Sequence, residues 1–203
     1  MISPEQKILI IILSYLIGSI STSTIICRIK NVDIKKIGSG NAGATNTVRA
    51  LGKKYGMIVL LLDILKGALP VMIATYLSPN LLTLPICCAF AVVTGHVFPI
   101  YFAFKGGKGA GTLIGIISVL FPSSIIYALL SWIITLVFTG YVGLGTMIAS
   151  IVLVISAYYL NTSIIYFYFS VLMSLFIIFT HRSNIKRMIQ GKENRFKRIM
   201  LFK

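Results

Sequence analysis

The chain has 203 residues, of which 57% are hydrophobic and 11% charged, and its mean hydropathy is +0.95. Soluble domains contain about 25% charged residues, so this composition excludes a soluble globular protein and indicates an integral membrane protein. In a soluble domain, the net charge of +15 would suggest nucleic acid as a partner. Here the basic residues lie beside apolar segments, where the positive-inside rule and anionic headgroups account for them, and no nucleic-acid partner is expected.

Seven apolar segments predict an all-α polytopic membrane protein with one integral membrane domain over residues 1–203. The spans are predicted at 7–27, 56–77, 81–104, 109–121, 125–138, 144–160 and 163–180, followed by a basic tail at 181–203. A span needs about 20 residues, so the fourth and fifth are either tilted or partly re-entrant. The first span lacks a small-residue cleavage site, which favours a retained helix over a signal peptide.

Lysine and arginine orient the predicted bundle. Seven of them lie in the loop 28–55, two in the loop 105–108 and eight in the tail after His181, together seventeen of nineteen. Seven alternating spans place these three segments on one side. The turns on the other side contain no lysine or arginine: 78–80, 121–124 and 161–162. The positive-inside rule therefore predicts an external N-terminus and a cytoplasmic C-terminus.

The stretch Gly38–Arg49 has the composition of an anion-binding loop. Its glycines allow close backbone approach to a ligand, and successive N–H groups of such a loop can converge on an oxyanion. Arg49 adds a planar, permanently charged fork that suits phosphate or carboxylate. Taken alone, the loop is equally compatible with an ordinary glycine-rich turn at the membrane surface. The other residues of interest in it are Gly38, Ser39, Gly40, Asn41, Gly43, Thr45 and Asn46.

Two further polar motifs fall on the same predicted face. In the first, three glycines surround Lys108: Gly106, Gly107 and Gly109. A lysine there is usually a snorkelling anchor, although this backbone could also approach an anion. In the second, His181 and Asn184 are three residues apart and so share one face of a helix end. Three such clusters on one face favour a functional site, because the positive-inside rule requires charge but not glycine or histidine.

Asp63, Lys66 and His96 lie well inside predicted spans. Asp63 and Lys66 have opposite charges and are three residues apart, which favours a structural ion pair. His96 is either a functional group, as intramembrane ionisable residues often are, or a structural hydrogen-bond partner of a neighbouring helix. The acidic residues are few and scattered, and the cysteines lack metal-ligand spacing. We therefore expect no metal site.

Four motifs cover nearly the whole chain: GSGNAGATNTVRALGKKYG at 38–56, DILKG at 63–67, GHVFPIYFAFKGGKGAGT at 95–112 and HRSNIKRMIQGKENRF at 181–196. In this order they resemble the bacterial acyl-phosphate:glycerol-3-phosphate acyltransferase family, PlsY. The resemblance implies transfer of a fatty acyl group from acyl phosphate to the sn-1 hydroxyl of glycerol 3-phosphate. The products would be lysophosphatidic acid and phosphate, in the first step of phospholipid synthesis.

The resemblance also implies which residues act. The catalytic positions are Ser39, Arg49, Lys108, His181 and Asn184. The substrate-binding positions are Gly38, Gly40, Asn41, Gly43, Thr45, Asn46, His96, Gly106, Gly107, Gly109 and Thr146. In one loop the chain departs from the family, because a pattern like RYVSLGS would place arginine and serine where Gly140 and Gly143 stand. This departure leaves the hydroxyl of Thr146 as the expected ligand contact of that loop.

The resemblance also implies a bacterial inner-membrane enzyme whose active site lies on the cytoplasmic face. The enzyme would be a monomer surrounded by membrane lipids and would need no cofactor and no metal. Phosphate is already a good leaving group, so the protein has mainly to hold two anions in register and stabilise developing charge. The hydroxyl proton can pass to His181 or to a substrate phosphate.

A transporter of phosphorylated solutes is the alternative function, since it would also explain a basic, glycine-rich mouth. Such proteins show related halves and polar residues near the midplane, whereas the external turns here are nearly bare of charge. A membrane phosphatase would need a phosphoryl acceptor or a metal site, and the sequence predicts neither.

Overall fold

The computed structural model describes residues 2–160, 163–196 and 200. These residues form ten α-helices and two short 3-10 turns, with no β-strand among them, which confirms the all-α class. By its internal contacts the chain divides into two compact units, Met1–Leu120 and Phe121–Lys203. The predicted turn at 161–162, and residues 197–199 and 201–203 of the predicted tail, lie outside the described residues.

Six helices form the first unit: α1 (Pro4–Gly18), α2 (Thr22–Ile29), α3 (Ala44–Leu51), α4 (Lys53–Leu77), α5 (Thr83–Val97) and α6 (Ala110–Leu120). Helix α1 begins with a capping box, in which Ser3 Oγ accepts from the Gln6 N–H and Gln6 Oε1 accepts from the Ser3 N–H. These two bonds satisfy backbone donors that the first helical turn would otherwise leave unpaired.

The predicted first span is two helices, separated at residues 19–21. At the break, the carbonyl oxygen of Ile20 accepts from the Thr22 N–H at 3.1 Å and from Lys66 Nζ on α4 at 2.8 Å. Thr22, at the start of α2, donates its hydroxyl to Asp63 Oδ1 at 2.8 Å. An unsatisfied backbone carbonyl inside a membrane costs several kcal/mol, so these charged residues of α4 stabilise an interruption that the hydropathy pattern does not reveal.

Glycines allow two helix pairs of the first unit to pack with their backbones in close contact. A Cβ on Gly18 of α1 would collide with the carbonyl oxygen of Val92 on α5, and one on Gly95 of α5 would collide with the carbonyl oxygen of Tyr15. Helices α4 and α6 meet in the same way through Gly67. Small residues at the contact are typical of helix packing in membranes, where close van der Waals contact contributes much of the attraction.

The second unit contains α7 (Ile125–Thr139), α8 (Val142–Tyr159), α9 (Ile164–Thr180) and α10 (Arg182–Ile189). Helix α7 ends at Gly140, whose φ of +71° is typical of a glycine after the last helical turn. The hydroxyls of Ser150 and Ser174 lie 3.1 Å apart and join α8 to α9. The axes of α9 and α10 are bent by 52° at His181.

Four stretches are long and apolar enough to cross a membrane: Pro4–Ile29, Lys53–Leu77, Thr83–Phe102 and Val142–Tyr159. The bent pair α9 and α10 adds a fifth if it counts as one span. Helices α6 and α7 are apolar but have 11 and 15 residues, fewer than a perpendicular crossing needs. The count of seven spans therefore stays a prediction.

Candidate active site

The stretch Gly38–Arg49 is half loop and half helix. The sequence predicted a continuous loop, but Gly43 caps helix α3, and Thr45, Asn46 and Arg49 lie on that helix. Gly38 and Gly40 have φ values of +57° and +66°, which L side chains rarely adopt. The turn therefore needs both glycines for its own backbone geometry.

The side chain of Asn46 organises this turn. It is 1% exposed, and its amide donates to the carbonyl oxygens of Ile34 and Ile37 at 3.2 and 2.9 Å. Its Oδ1 accepts from the N–H of Ser39 at 3.0 Å. A Cβ on Gly38 would meet Asn46 Oδ1 and would come within 3.2 Å of Arg49 Cδ. Asn46 thus joins the Ser39 backbone to the helix that carries Arg49.

The Gly106–Lys108 segment lies against the last turn of α5. The N–H groups of Gly106 and Gly107 donate to the carbonyl oxygens of Val97 and His96, both at 3.1 Å. A Cβ on Gly107 would collide with His96 Nε2 and would lie 2.6 Å from the carbonyl oxygen of Ala42. The loop of Ser39 and the loop of Lys108 therefore meet at Gly107, within one unit.

A buried cluster of Asp63, Lys66, His96 and Thr112 lies beneath this meeting point. Lys66 Nζ is 2.9 Å from Asp63 Oδ1, which confirms the predicted ion pair. His96 Nδ1 lies 3.0 Å from the Thr112 hydroxyl and 3.6 Å from Asp63 Oδ1. His96 is 6% exposed, and its role as a substrate ligand stays a prediction. In the structure it is the hydrogen-bond partner that the sequence analysis left as its alternative role.

In the second unit, His181 stands at the bend between α9 and α10 and is 4% exposed. Its Nδ1 lies 2.8 Å from the carbonyl oxygen of Ile177. A carbonyl can only accept, so this contact assigns the proton of a neutral ring to Nδ1 and makes Nε2 its basic nitrogen. In that tautomer, Nε2 is the nitrogen that can accept a proton.

Asn184, Arg187 and Glu193 form a second group, the terminal cluster. Asn184 Nδ2 donates to Glu193 Oε1 at 3.0 Å, and Arg187 Nε donates to Glu193 Oε2 at 2.7 Å. One carboxylate therefore orients both side chains. In the sequence, Glu193 is one of only four acidic residues, which are scattered along the chain. Its nine-residue separation from Asn184 gives no periodic signal that could have identified it.

The predicted connection at 140–146 consists of Gly140, Tyr141 and the start of α8, and groups from the C-terminal segment pack against its glycines Gly140 and Gly143. The guanidinium of Arg195 lies 4.7 Å from the centre of the Tyr141 ring, and the N–H of Phe196 donates to the Gly140 carbonyl oxygen at 2.9 Å. Asn184 lies against Gly143, where a Cβ would come within 2.7 Å of Asn184 Nδ2. Both glycines are therefore covered by groups from the C-terminal segment.

Thr146 is 8% exposed, and its hydroxyl donates to the carbonyl oxygen of Val142 at 3.0 Å. Its role as a ligand contact stays a prediction. Within the described part of the chain, no three His, Cys, Asp or Glu residues form a group that could hold a metal ion.

This geometry suits recognition of phosphate. In the first unit, an arginine fork, a hydroxyl residue and a lysine belong to two adjoining glycine-rich segments, and all three residues are partly exposed. Guanidinium groups and backbone N–H groups are the preferred donors for phosphate oxygens.

Comparison with known proteins identifies the family. The family model "Glycerol-3-phosphate acyltransferase" matches residues 8–191. This chain belongs to the glycerol-3-phosphate acyltransferase family. A glycerol-3-phosphate acyltransferase of Aquifex aeolicus is 37% identical over 194 residues, which cover 94% of this chain and 100% of that protein. One of Endomicrobium trichonymphae is 42% identical over 192 residues, covering 94% and 96%.

Two solved structures share the fold. They are the glycerol 3-phosphate form and the lysophosphatidic acid form of PlsY, described as an integral membrane glycerol 3-phosphate acyltransferase. Their TM-scores are 0.90 and 0.88, each at 36% identity over 94% of this chain and 95% of that one. The predicted family and the integral membrane class are thereby confirmed.

Proposed function

We propose that this chain transfers a fatty acyl group from acyl phosphate to the sn-1 hydroxyl of glycerol 3-phosphate, giving lysophosphatidic acid and phosphate. That it is a membrane glycerol-3-phosphate acyltransferase rests on the family match over 8–191 and on its PlsY relatives. The observation that carries the proposal for the residues is the junction at Gly107, where two glycine-rich segments with Ser39, Arg49 and Lys108 meet.

In the reaction, the glycerol hydroxyl oxygen forms a bond to the acyl carbon, and the bond from that carbon to the phosphate oxygen breaks. Arg49 and Lys108 bind phosphate oxygens and stabilise the charge that leaves with the phosphate. Ser39 lies in the same turn and offers a hydroxyl donor. The N–H groups of Ser39, Gly40 and Gly43 are bonded within the turn, so the side chains supply the main donors to the anion.

From the second unit, His181 and Asn184 are assigned to the reaction by the family's motif. The hydroxyl proton passes either to His181 Nε2 or to a substrate phosphate. The first route is supported by the Nδ1 contact with Ile177, and the second by the basicity of a phosphate dianion. Asn184, held by Glu193, supplies an oriented amide for a substrate oxygen.

The central test of this assignment is Arg49→Lys. If Arg49 only orients helices, lysine should preserve activity, because the charge remains. If its fork binds phosphate, we expect a loss of about 2–4 kcal/mol of transition-state stabilisation, or roughly thirtyfold to a thousandfold in rate. Purified variants are assayed with glycerol 3-phosphate and palmitoyl phosphate.

Lys54→Arg is the matched control, because it reverses the exchange at an exposed basic position of the same region. It should retain activity, whereas Lys108→Ala should be nearly inactive while still inserting into the membrane. Activity of Arg49→Lys and Lys108→Ala within about threefold of the parent, well below the expected loss, would exclude a phosphate site at these residues.

The membrane topology is part of the proposal: seven spans in a bacterial inner membrane, the N-terminus outside and the active site cytoplasmic. The distribution of lysine and arginine supports it. A cysteine at Asn80 should react with an impermeant maleimide in intact cells, and a reporter fused after Lys203 should report the cytoplasm. Labelling at position 80 only after permeabilisation would reverse the orientation.

A further inference from the structure

A cavity of about 590 Å³ lies in the first unit, beside the residues proposed to act on the substrates, and Lys35 in its lining packs against Gly40. Ligand pockets usually measure about 300–1,000 Å³. Its walls come from the end of α2, the segment 31–35 and the segment 101–105. None of Ser39, Arg49 and Lys108 lines it. The cavity therefore needs an explanation of its own.

The charge of the cavity is positive. Arg28, Lys35 and Lys105 line it together with one acid, Asp33. The carboxylate of Asp33 already accepts from the backbone N–H of Lys35 at 3.0 Å and lies 3.9 Å from Lys36 Nζ. An anion in the cavity would therefore meet three basic side chains. The one carboxylate there already interacts with Lys35 and Lys36.

The side chain of Lys35 is held against the backbone of Lys105. Lys35 Nζ donates to the carbonyl oxygen of Lys105 at 2.9 Å. Desolvation, and secondly the neighbouring Lys105 ammonium, hold the pKa of Lys35 below its ordinary value, while Asp33 acts in the opposite direction. Two ammonium groups held near each other repel, and a bound anion would remove that repulsion.

The backbone of this wall is strained. Ala103 and Phe104 have φ values of +51° and +59°, and Asn31, on the facing segment, has +56°. In the described part of the chain these are all the non-glycine residues with positive φ, and two of the three line the cavity. Asparagine tolerates this region, but alanine and phenylalanine rarely adopt it. Strained backbone of this kind concentrates at ligand-binding sites.

The position of the cavity indicates its ligand. It lies where two candidate membrane spans end, Pro4–Ile29 and Thr83–Phe102, which is the depth of lipid headgroups. The guanidinium of Arg28 lies over the ring of Phe102 at 5.5 Å, and Tyr101 and Ile29 beside it are 56% and 71% exposed. Basic pockets beside apolar, aromatic surface at this depth suit a phosphate headgroup with its acyl chains in the bilayer.

We infer that this cavity is an accessory site for an anionic lipid, which places its phosphate among Arg28, Lys35 and Lys105 and its acyl chains along the exposed residues beside them. The ligand class is a phosphate-headed lipid. A membrane phospholipid and a diacylated descendant of the enzyme's product both meet that description. The site adjoins the reaction centre but is lined by none of Ser39, Arg49 and Lys108, and it does not depend on which donor the enzyme uses.

The test measures binding of dioleoyl phosphatidic acid to the detergent-solubilised full chain by native mass spectrometry. This lipid has both glycerol positions acylated, so it is not the product of the proposed reaction. The cavity variant is Arg28→Gln with Lys105→Gln. Its matched control is Lys30→Gln with Lys36→Gln, which removes two charges from the same region but from residues that do not line the cavity.

We expect the cavity variant to bind phosphatidic acid at least about tenfold more weakly, and the control to stay within about twofold. Dioleoylglycerol, which lacks phosphate, should not compete, and inorganic phosphate at the same phosphate concentration should leave the lipid bound. Equal losses in both variants would show that only the bulk charge matters. Displacement by inorganic phosphate as readily as by lipid would show a soluble-anion site. Either result overturns the inference.

A second measurement on the unmodified chain covers the case in which the cavity variant fails to fold. A photoreactive phosphatidic acid should label the peptide that contains Tyr101–Lys105, because that segment forms one wall. Labelling confined to other segments would overturn the inference. Retained acyl transfer by the cavity variant would show that it is folded, since Arg28 and Lys105 have no part in the proposed reaction.

Discussion

The buried cluster of the first unit and the terminal cluster of the second each contain an ion pair, but the two pairs differ in exposure. Asp63 and Lys66 have side-chain exposures of 4% and 8% and lie inside a candidate membrane span. In the terminal cluster, the side chain of Arg187 is 25% exposed and that of Glu193 is 5% exposed. The first cluster lies beneath the Gly106–Lys108 segment, and the second orients Asn184.

The difference in exposure predicts a difference in energy. A buried ion pair contributes little net stability compared with apolar residues, but removal of one partner leaves an uncompensated charge and costs about 3–5 kcal/mol. In the terminal cluster Glu193 is nearly as buried as Asp63, but Arg187 is 25% exposed, so hydration of its guanidinium can recover part of that loss. We therefore expect the buried cluster to act mainly on folding and the terminal cluster mainly on catalysis.

The largest effect is expected from Asp63→Asn, which leaves the Lys66 ammonium without its anion. A loss of about 3–5 kcal/mol corresponds to a fall in the thermal midpoint of at least about 6 °C for a chain of this size. The exposed acid Asp33, 3.9 Å from Lys36, provides the control, and Asp33→Asn should cost about 1 kcal/mol or less. Equal shifts in the two variants would remove the distinction between the clusters.

A smaller effect on stability is expected from Glu193→Gln. Hydrogen bonds to charged groups contribute about 1.5–3 kcal/mol, and this change weakens the bond from Arg187 while glutamine can still accept from Asn184. The rate of acyl transfer should fall more than the stability indicates, because the amide of Asn184 loses its fixed orientation. Measurement of kcat and of the thermal midpoint on the same preparation separates the two effects.

Glu193→Asp is the informative comparison, since it keeps the charge but shortens the side chain by one methylene. Partial recovery of kcat would support orientation of Asn184 through the carboxylate. A normal kcat in Glu193→Gln, at any stability, would contradict it.

The smallest effects on stability are expected from alanine substitutions at one glycine of each unit. In Gly107→Ala the new Cβ would meet the backbone oxygen of Ala42 and the ring of buried His96, neither of which moves freely, so we expect a cost of about 1–3 kcal/mol. In Gly143→Ala it would meet the side chain of Asn184, whose bond to Glu193 would have to shift. A side chain yields more easily than backbone, so the cost should be about 1 kcal/mol or less. Thermal midpoints test the order, and a larger fall for Gly143→Ala would reverse it.

The outline of the fold could be predicted where the signal is local. Helices α7 and α9 begin and end within one residue of the predicted bounds, because their apolar runs stop abruptly at polar residues. The break at 19–21 and helix α3 could not be predicted in this way. The break depends on Lys66, forty-six positions further on, and α3 has a polar composition that resembles a loop.

The candidate site shows the same division. Ser39, Arg49, Lys108, His181 and Asn184 were found from local composition and from motif resemblance, and their roles stay predictions. The supporting residues were missed or given other roles. The predicted role of Asn46 in substrate binding stays a prediction, and the structure adds a supporting one, since its side chain bonds to three nearby backbone groups.

The sequence by itself determined the membrane class, the family and the clustering of glycines with basic residues, because hydropathy, charge and motif order are properties of the linear chain. The tertiary structure determined which backbone atoms pack against each glycine, which carbonyl oxygen Lys66 binds and where the basic cavity lies. Those features join residues as far apart as Lys35 and Lys105. The contact between their positions results from helix packing, and no spacing along the chain encodes it.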